Sequence, residues 1–104
     1  MLSAVIQISK AGYAHLDLSI DNILLDDSLN IKLTGFGNAQ NKNKVNLPKN
    51  MILKYYQAPE ICQGKTIIDG EKADVFALAV ILFIMLTKRE PTEKVFDVTC
   101  SKRY

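Results

Sequence analysis

His15, Asp17 and Asn22 stand together in one turn-rich stretch, His15-Leu16-Asp17-Leu18-Ser19-Ile20-Asp21-Asn22. An imidazole, a carboxylate and a carboxamide this close can move a proton or satisfy backbone donors. Side chains that do chemistry also tend to sit in loops carried by regular elements. On these residues alone, Asp17 and Asn22 equally suit a loop-capping pair, because Asp and Asn both hydrogen-bond nearby backbone groups. His15 is the single histidine, and Cys62 and Cys100 stand apart with no Cys-x-x-Cys. A multi-cysteine zinc site and a disulfide framework are therefore not expected, and two separate thiols fit a reducing, intracellular compartment.

The elements that must position these groups follow from apolar spacing. Leu2, Ala4, Val5, Ile6 and Ile8 are helix-compatible, and Gly12 is a stop. Ile23-Leu24-Leu25 and Ile31-Lys32-Leu33 flank the polar Asp26–Asn30 turn, which is a hairpin pattern. Gly35-Phe36-Gly37 then breaks the second strand, with the phenylalanine expected to be buried. Asn38 to Asn50 reads as a solvated polar loop of Asn and Lys. Pro59 suits the first turn of a short helix from Ala58 to Cys62 that ends at Gly64. Glu71 to Thr87 is the clearest helix, led by Glu71 and Asp74 and followed by Lys88 and Arg89, as the helix dipole favours. Being apolar on every side, it is expected to be surrounded by protein.

The chain of 104 residues is one domain at most, with 48% hydrophobic and 23% charged residues. Its 13 Lys+Arg against 11 Asp+Glu give a net charge of +2. That balance argues against nucleic acid and anionic membranes as partners. No signal peptide is read at the N-terminus. The longest apolar run, Val75 to Leu86, falls short of the about 20 residues a membrane span needs.

Four segments now occur in order: His15–Asn22, Gly35-Phe36-Gly37, Ala58-Pro59-Glu60, and Asp74-Val75-Phe76 at the head of the apolar helix. In sequence and spacing they resemble the C-terminal lobe of a eukaryotic protein kinase of the Ser/Thr type. His15–Asn22 matches the catalytic-loop pattern H-R-D-L-x-x-x-N at every position but the Arg, Gly35-Phe36-Gly37 stands at D-F-G, and A-P-E is intact. The resemblance spans Leu2 to Pro91. It implies an α+β, mainly helical lobe fragment with a small hairpin. Within 1–104 it places a catalytic loop at 15–22, a degenerate D-F-G at 35–37, an activation segment at 35–60 and a central buried helix at 71–87, with no N-terminal lobe.

The resemblance also assigns roles. Asp17 stands where the family's base accepts the substrate hydroxyl's proton, and Asn22 where a magnesium ligand stands. Leu24 would lie under the adenine ring. His15 would pack and hydrogen-bond within the loop, Asp74 would accept its backbone N–H groups, and Glu60 would anchor the end of the activation segment through a distant Arg. ATP and magnesium are the cofactors implied for the family.

Several family positions are altered. The D-F-G carboxylate is replaced by Gly35, the Arg after His15 by Leu16, the catalytic-loop Lys by Ser19, and a Thr before A-P-E by Leu53. Between Asn38 and Lys65 there is no Ser or Thr, only Tyr55 and Tyr56, which are expected to pack beside Ala58-Pro59-Glu60. The family activity, ATP-dependent phosphorylation of protein Ser or Thr, is expected to be lost here, with ATP and magnesium not bound by this chain. The alternatives are a pseudokinase-type protein-binding module and a truncated, non-functional kinase remnant. A protein partner or the remaining kinase lobe is the expected partner, and the cytoplasm the expected location. The small core predicts marginal stability and an exposed apolar patch.

Overall fold

The computed structural model describes residues 2–47, 56–63 and 65–91. They form a small α+β arrangement of three helices and short antiparallel strands. In chain order these are α1 (Leu2–Lys10), β1 (Tyr13–Ala14), β2 (Ile23–Leu25), β3 (Ile31–Leu33), β4 (Gln40–Asn41), β5 (Val45–Asn46), α2 (Pro59–Cys62), β6 (Ile67–Ile68) and α3 (Gly70–Thr87). Single 3-10 turns at Ile20–Asn22 and Phe36–Asn38 complete the set. Leu53, Tyr55, Gly64 and Cys100 lie outside the described residues.

The strands pair as three two-stranded ribbons, β1 with β4, β2 with β3, and β5 with β6. The β2–β3 hairpin aligns Ile23 with Leu33, Leu24 with Lys32 and Leu25 with Ile31. Asp26 closes it: its carboxylate accepts from the backbone N–H groups of Ser28 (2.9 Å) and Asn30 (2.8 Å) and from the Asn30 side chain (3.1 Å).

The stretch after residue 38 corrects the expectation of a solvated loop. Gln40–Asn41 pairs with Tyr13–Ala14, and Val45–Asn46 with Ile67–Ile68. Val45 is only 2% exposed, and Leu47 is buried beside it. Two apolar side chains amid the asparagines point inward, and the backbone finds its partners in distant segments. Lys42 adds a polar clasp, donating to Ser9 Oγ (3.0 Å) on α1 and Glu71 Oε2 (3.2 Å) on α3.

Two apolar clusters hold the elements together. One gathers Ala14, Leu16, Val45, Leu47, Ala58 and Ile61 with Ala73 of α3. The other joins Val5 of α1, Leu18, and Ala77 and Ile81 of α3, with Ile23, Leu33 and Tyr56 against it. The ribbons close tightly on the start of α3. A Cβ at Gly70 would lie 2.6 Å from Ala14 Cβ and 2.8 Å from Val45 Cγ2, so only glycine allows this approach.

Helix α3 is capped by Asp69, whose side chain accepts from Lys72 N (3.1 Å). It is buried along one stripe, from Gly70 through Ala73, Asp74, Ala77, Val80 and Ile81. Val75, Leu82, Met85 and Leu86 are exposed, Leu86 by 76%. Burial on all sides, expected from composition, is thus not found: Val75 borders a groove shared with Leu2, Val5 and Ile6 of α1, and Leu82, Met85 and Leu86 remain exposed. No helix among the described residues is long and apolar enough to cross a membrane.

Candidate functional site

The stretch 15–22 leaves β1 and meets α3 at once. Leu16 adopts a left-handed backbone (φ 66°), a conformation that disfavours residues with a Cβ by about 1–2 kcal/mol. The turn is held from below by Asp74, whose carboxylate accepts from the backbone N–H of His15 (2.8 Å) and of Leu16 (2.9 Å). All three residues are buried. Burial pushes the Asp74 carboxyl above its usual range, against the opposing pull of the Leu16 and His15 amides.

His15 is fully buried and links this turn to the end of the hairpin. Its Nε2 donates to the Thr34 carbonyl (2.8 Å), and its Nδ1 accepts from Asp17 N (3.2 Å). These two bonds assign the ring proton to Nε2. The Phe36 ring leans on the imidazole, with centroids 4.7 Å apart and planes at 58°. Phe36 is 48% exposed rather than buried, although its ring meets the imidazole.

Asn22 ends the 3-10 turn and closes the loop on itself. Its Nδ2 donates to the Asp17 carbonyl (2.7 Å), and its own carbonyl accepts from Thr34 N (2.9 Å). Gly35, next along, has a left-handed backbone (φ 79°) and lies directly against the Asn22 carboxamide.

The structure therefore brings His15, Asp17, Asn22 and Asp74 into one hydrogen-bonded unit. Leu16 and Leu18 drop into the two separate apolar clusters on either side of Asp17, which is half-buried. The cavity beside Asp17, bordered by Leu16, Tyr56, Gln57 and Ile61, holds about 20 Å³. That is room for little more than one water, against hundreds of Å³ for a nucleotide-sized pocket. Leu24 is exposed on β2, facing Lys32 in the ladder, and Glu60 lies in the first turn of α2, partly exposed.

Three contributors escape sequence reasoning. The Thr34 carbonyl and the Tyr56 hydroxyl, which accepts from Ile20 N (3.4 Å), leave no trace in residue type or spacing. The packing role of Leu16 is signalled only by its alternation with Leu18, a period-two pattern too short to read with assurance.

Among the described residues no group of three or more His, Cys, Asp or Glu could hold a metal ion. The sequence model of the family described as "Protein kinase domain" matches residues 1–102. Testis-specific serine/threonine-protein kinase 5 of Mus musculus is 40% identical over 96 residues, covering 88% of this chain and 25% of that protein. Maternal embryonic leucine zipper kinase of Xenopus laevis is 37% identical over 90 residues, covering 83% and 14%. Carbon catabolite-derepressing protein kinase of Saccharomyces cerevisiae is 36% identical over 92 residues, covering 88% and 14%. The chain thus spans about a quarter or less of the length of these relatives.

Proposed function

The chain belongs to the protein kinase domain family, and from that premise we propose that it represents part of the C-terminal lobe, with 15–22 as its catalytic loop, and does not itself transfer phosphate. Kinases of this family use ATP and magnesium. Catalysis there rests on positioning and charge neutralisation, with an Asp taking the hydroxyl proton and oxygen ligands holding the cation. Asp17 occupies the base position and Asn22 the ligand position of the matched motif.

The observation that carries the proposal is Gly35. Where the matched motif has a carboxylate, this residue has no side-chain oxygen, and the Asn22 carboxamide fills the adjoining space. Magnesium is a hard cation that is bound through carboxylates and phosphate oxygens. A lone neutral carboxamide oxygen, with no carboxylate beside it, does not fit that requirement. Leu16 and Ser19 stand where the matched motif has two positive charges. Losing one preorganised electrostatic contact typically lowers a rate about 10²–10³-fold. Such losses need not add.

Incubation of the chain with labelled ATP, magnesium and a generic protein substrate tests this. No incorporation above background is the expected result. Incorporation abolished by Asp17→Asn would overturn the proposal.

A second reading, a pseudokinase-type protein-binding module in the cytoplasm, is favoured by the exposed apolar residues Val75, Leu82, Met85 and Leu86 on α3. The occupant we propose for that face is the remainder of a kinase domain, since the relatives are several times longer than the matched stretch.

A further inference from the structure

We infer that Leu16 anchors an apolar clamp that fastens residues 40–47 and 58–61 to the loop without any phosphate group. In protein kinases an activation segment can be ordered by a phosphate that pairs with arginine. Where the matched motif has its arginine, this chain has Leu16, whose side chain has no charge to receive a phosphate. The inference rests on the reading under Proposed function only for that equivalence.

The structure supplies a different attachment. Leu16 is buried in one cluster with Val45 and Leu47, with Ala58 and Ile61 at α2, and with Ala73 of α3. Two stretches that lie more than ten residues apart therefore meet in the same apolar volume. Leu16 is itself tied to α3, because its N–H donates to Asp74 Oδ1 (2.9 Å). Whatever packs in this cluster is tied to α3 with it.

The backbone of the first stretch is paired as well. Lys42 N donates to the Gly12 carbonyl (3.0 Å), and Leu47 N to the Thr66 carbonyl (2.8 Å). The ion pair in this region, Lys42 to Glu71 at 3.2 Å, joins side chains that are 25% and 55% exposed. Pairs of that kind hold little and weaken in salt. Apolar burial and backbone pairing, rather than charge, keep the stretch in place.

Hydrogen exchange tests this on the full chain, treated with phosphatase and shown by mass to carry no phosphate. The Lys42 and Leu47 amides should exchange at least about 30-fold more slowly than free peptide. Exchange at the free-peptide rate would overturn the inference. Leu16→Gln, similar in length but polar, should speed exchange across 42–47 about tenfold more than across the Ile23–Leu33 hairpin, which packs on the other cluster. Leu16→Met, apolar and of similar volume, should keep that ratio within about threefold. Equal acceleration of both segments by Gln, or Met as disruptive as Gln, would overturn the clamp. If Leu16→Gln does not fold, Leu47→Ala replaces it, with the same difference expected and equal acceleration again the overturning result. Raising NaCl from about 0.05 M to about 1 M should change the 42–47 rates by no more than about twofold. An acceleration of about tenfold confined to 42–47 would assign the holding to Lys42 and Glu71 and overturn the apolar clamp.

The outcomes are separable. Free exchange across 42–47 with no phosphate incorporation sinks this inference alone. Asp17-dependent incorporation with a protected 42–47 stretch sinks only the inactive reading.

Discussion

Asp74 is the residue on which the loop leans. Two buried amides, on His15 and Leu16, have its carboxylate as acceptor, and Leu16 keeps its left-handed backbone partly through that bond. A buried donor left unmatched costs about 1–3 kcal/mol. Asp74→Ala should therefore destabilise by about 2–4 kcal/mol in chemical denaturation. Asp74→Asn retains one acceptor oxygen and should lose roughly half of that. If Ala and Asn cost the same, the bonds contribute nothing beyond packing. Burial raises the carboxyl above its usual range, so the folded state holds its proton more tightly than the unfolded chain. Its contribution is fully present below the ordinary carboxylate range and is lost as pH rises through the raised value. The stability difference between wild type and Asp74→Asn should accordingly shrink with rising pH across that window. At this scale the sequence was informative about side chains and silent about backbone partners. His15, Asp17, Asn22 and Asp74 stand out by type and spacing, whereas the carbonyl of Thr34 could belong to any residue.

At the scale of elements, α1, the β2–β3 hairpin and α3 are legible because each carries its own signal. Apolar spacing announces the helices, and the Asp26–Asn30 turn separates two apolar triplets. Strands β4 and β5 are not legible, because two residues cannot display a period and their hydrogen bonds come from Tyr13–Ala14 and Ile67–Ile68. The asparagine-rich composition then suggested solvent where Val45 and Leu47 in fact enter the core. Phe36 illustrates the complementary error, since an apolar ring next to two glycines meets His15 and yet stays 48% exposed. Two tests belong here. Asp69→Ala removes the acceptor for Lys72 N and should destabilise α3 by about 0.5–2 kcal/mol in a circular-dichroism melt. In the hairpin, the Asn30 backbone and side-chain donors, with Ser28, hold the Asp26 carboxyl below its usual range. Its contribution is present above the ordinary carboxylate range and disappears as pH falls through the lowered value. A carboxyl NMR titration should place the Asp26 midpoint below the ordinary range, and a midpoint at or above it would contradict the hydrogen-bonded turn.

For the molecule as a whole, the two faces of α3 differ sharply. One is packed from Ala73 to Ile81, while Leu82 and Leu86, one turn apart, project into solvent with Met85 between them. Contiguous exposed apolar side chains of this kind favour association. Sedimentation velocity should show self-association, and a hydrophobic dye should bind. Leu82→Lys with Leu86→Lys should diminish both while changing stability by no more than about 0.5 kcal/mol, as is usual for surface positions. A monomeric wild type that binds no dye would contradict the expectation of a covered face.

The Asp74 bonds to His15 and Leu16 join positions 59 and 58 residues apart. A ribosome adding about 5–20 residues per second needs about 3–12 s to supply the acceptor after the donors have been made. Throughout that delay the nascent turn has no clasp, and Leu16 has little to keep its backbone left-handed. Translation speed between these codons therefore governs how long the segment is exposed to chaperones and proteases before it can be fastened.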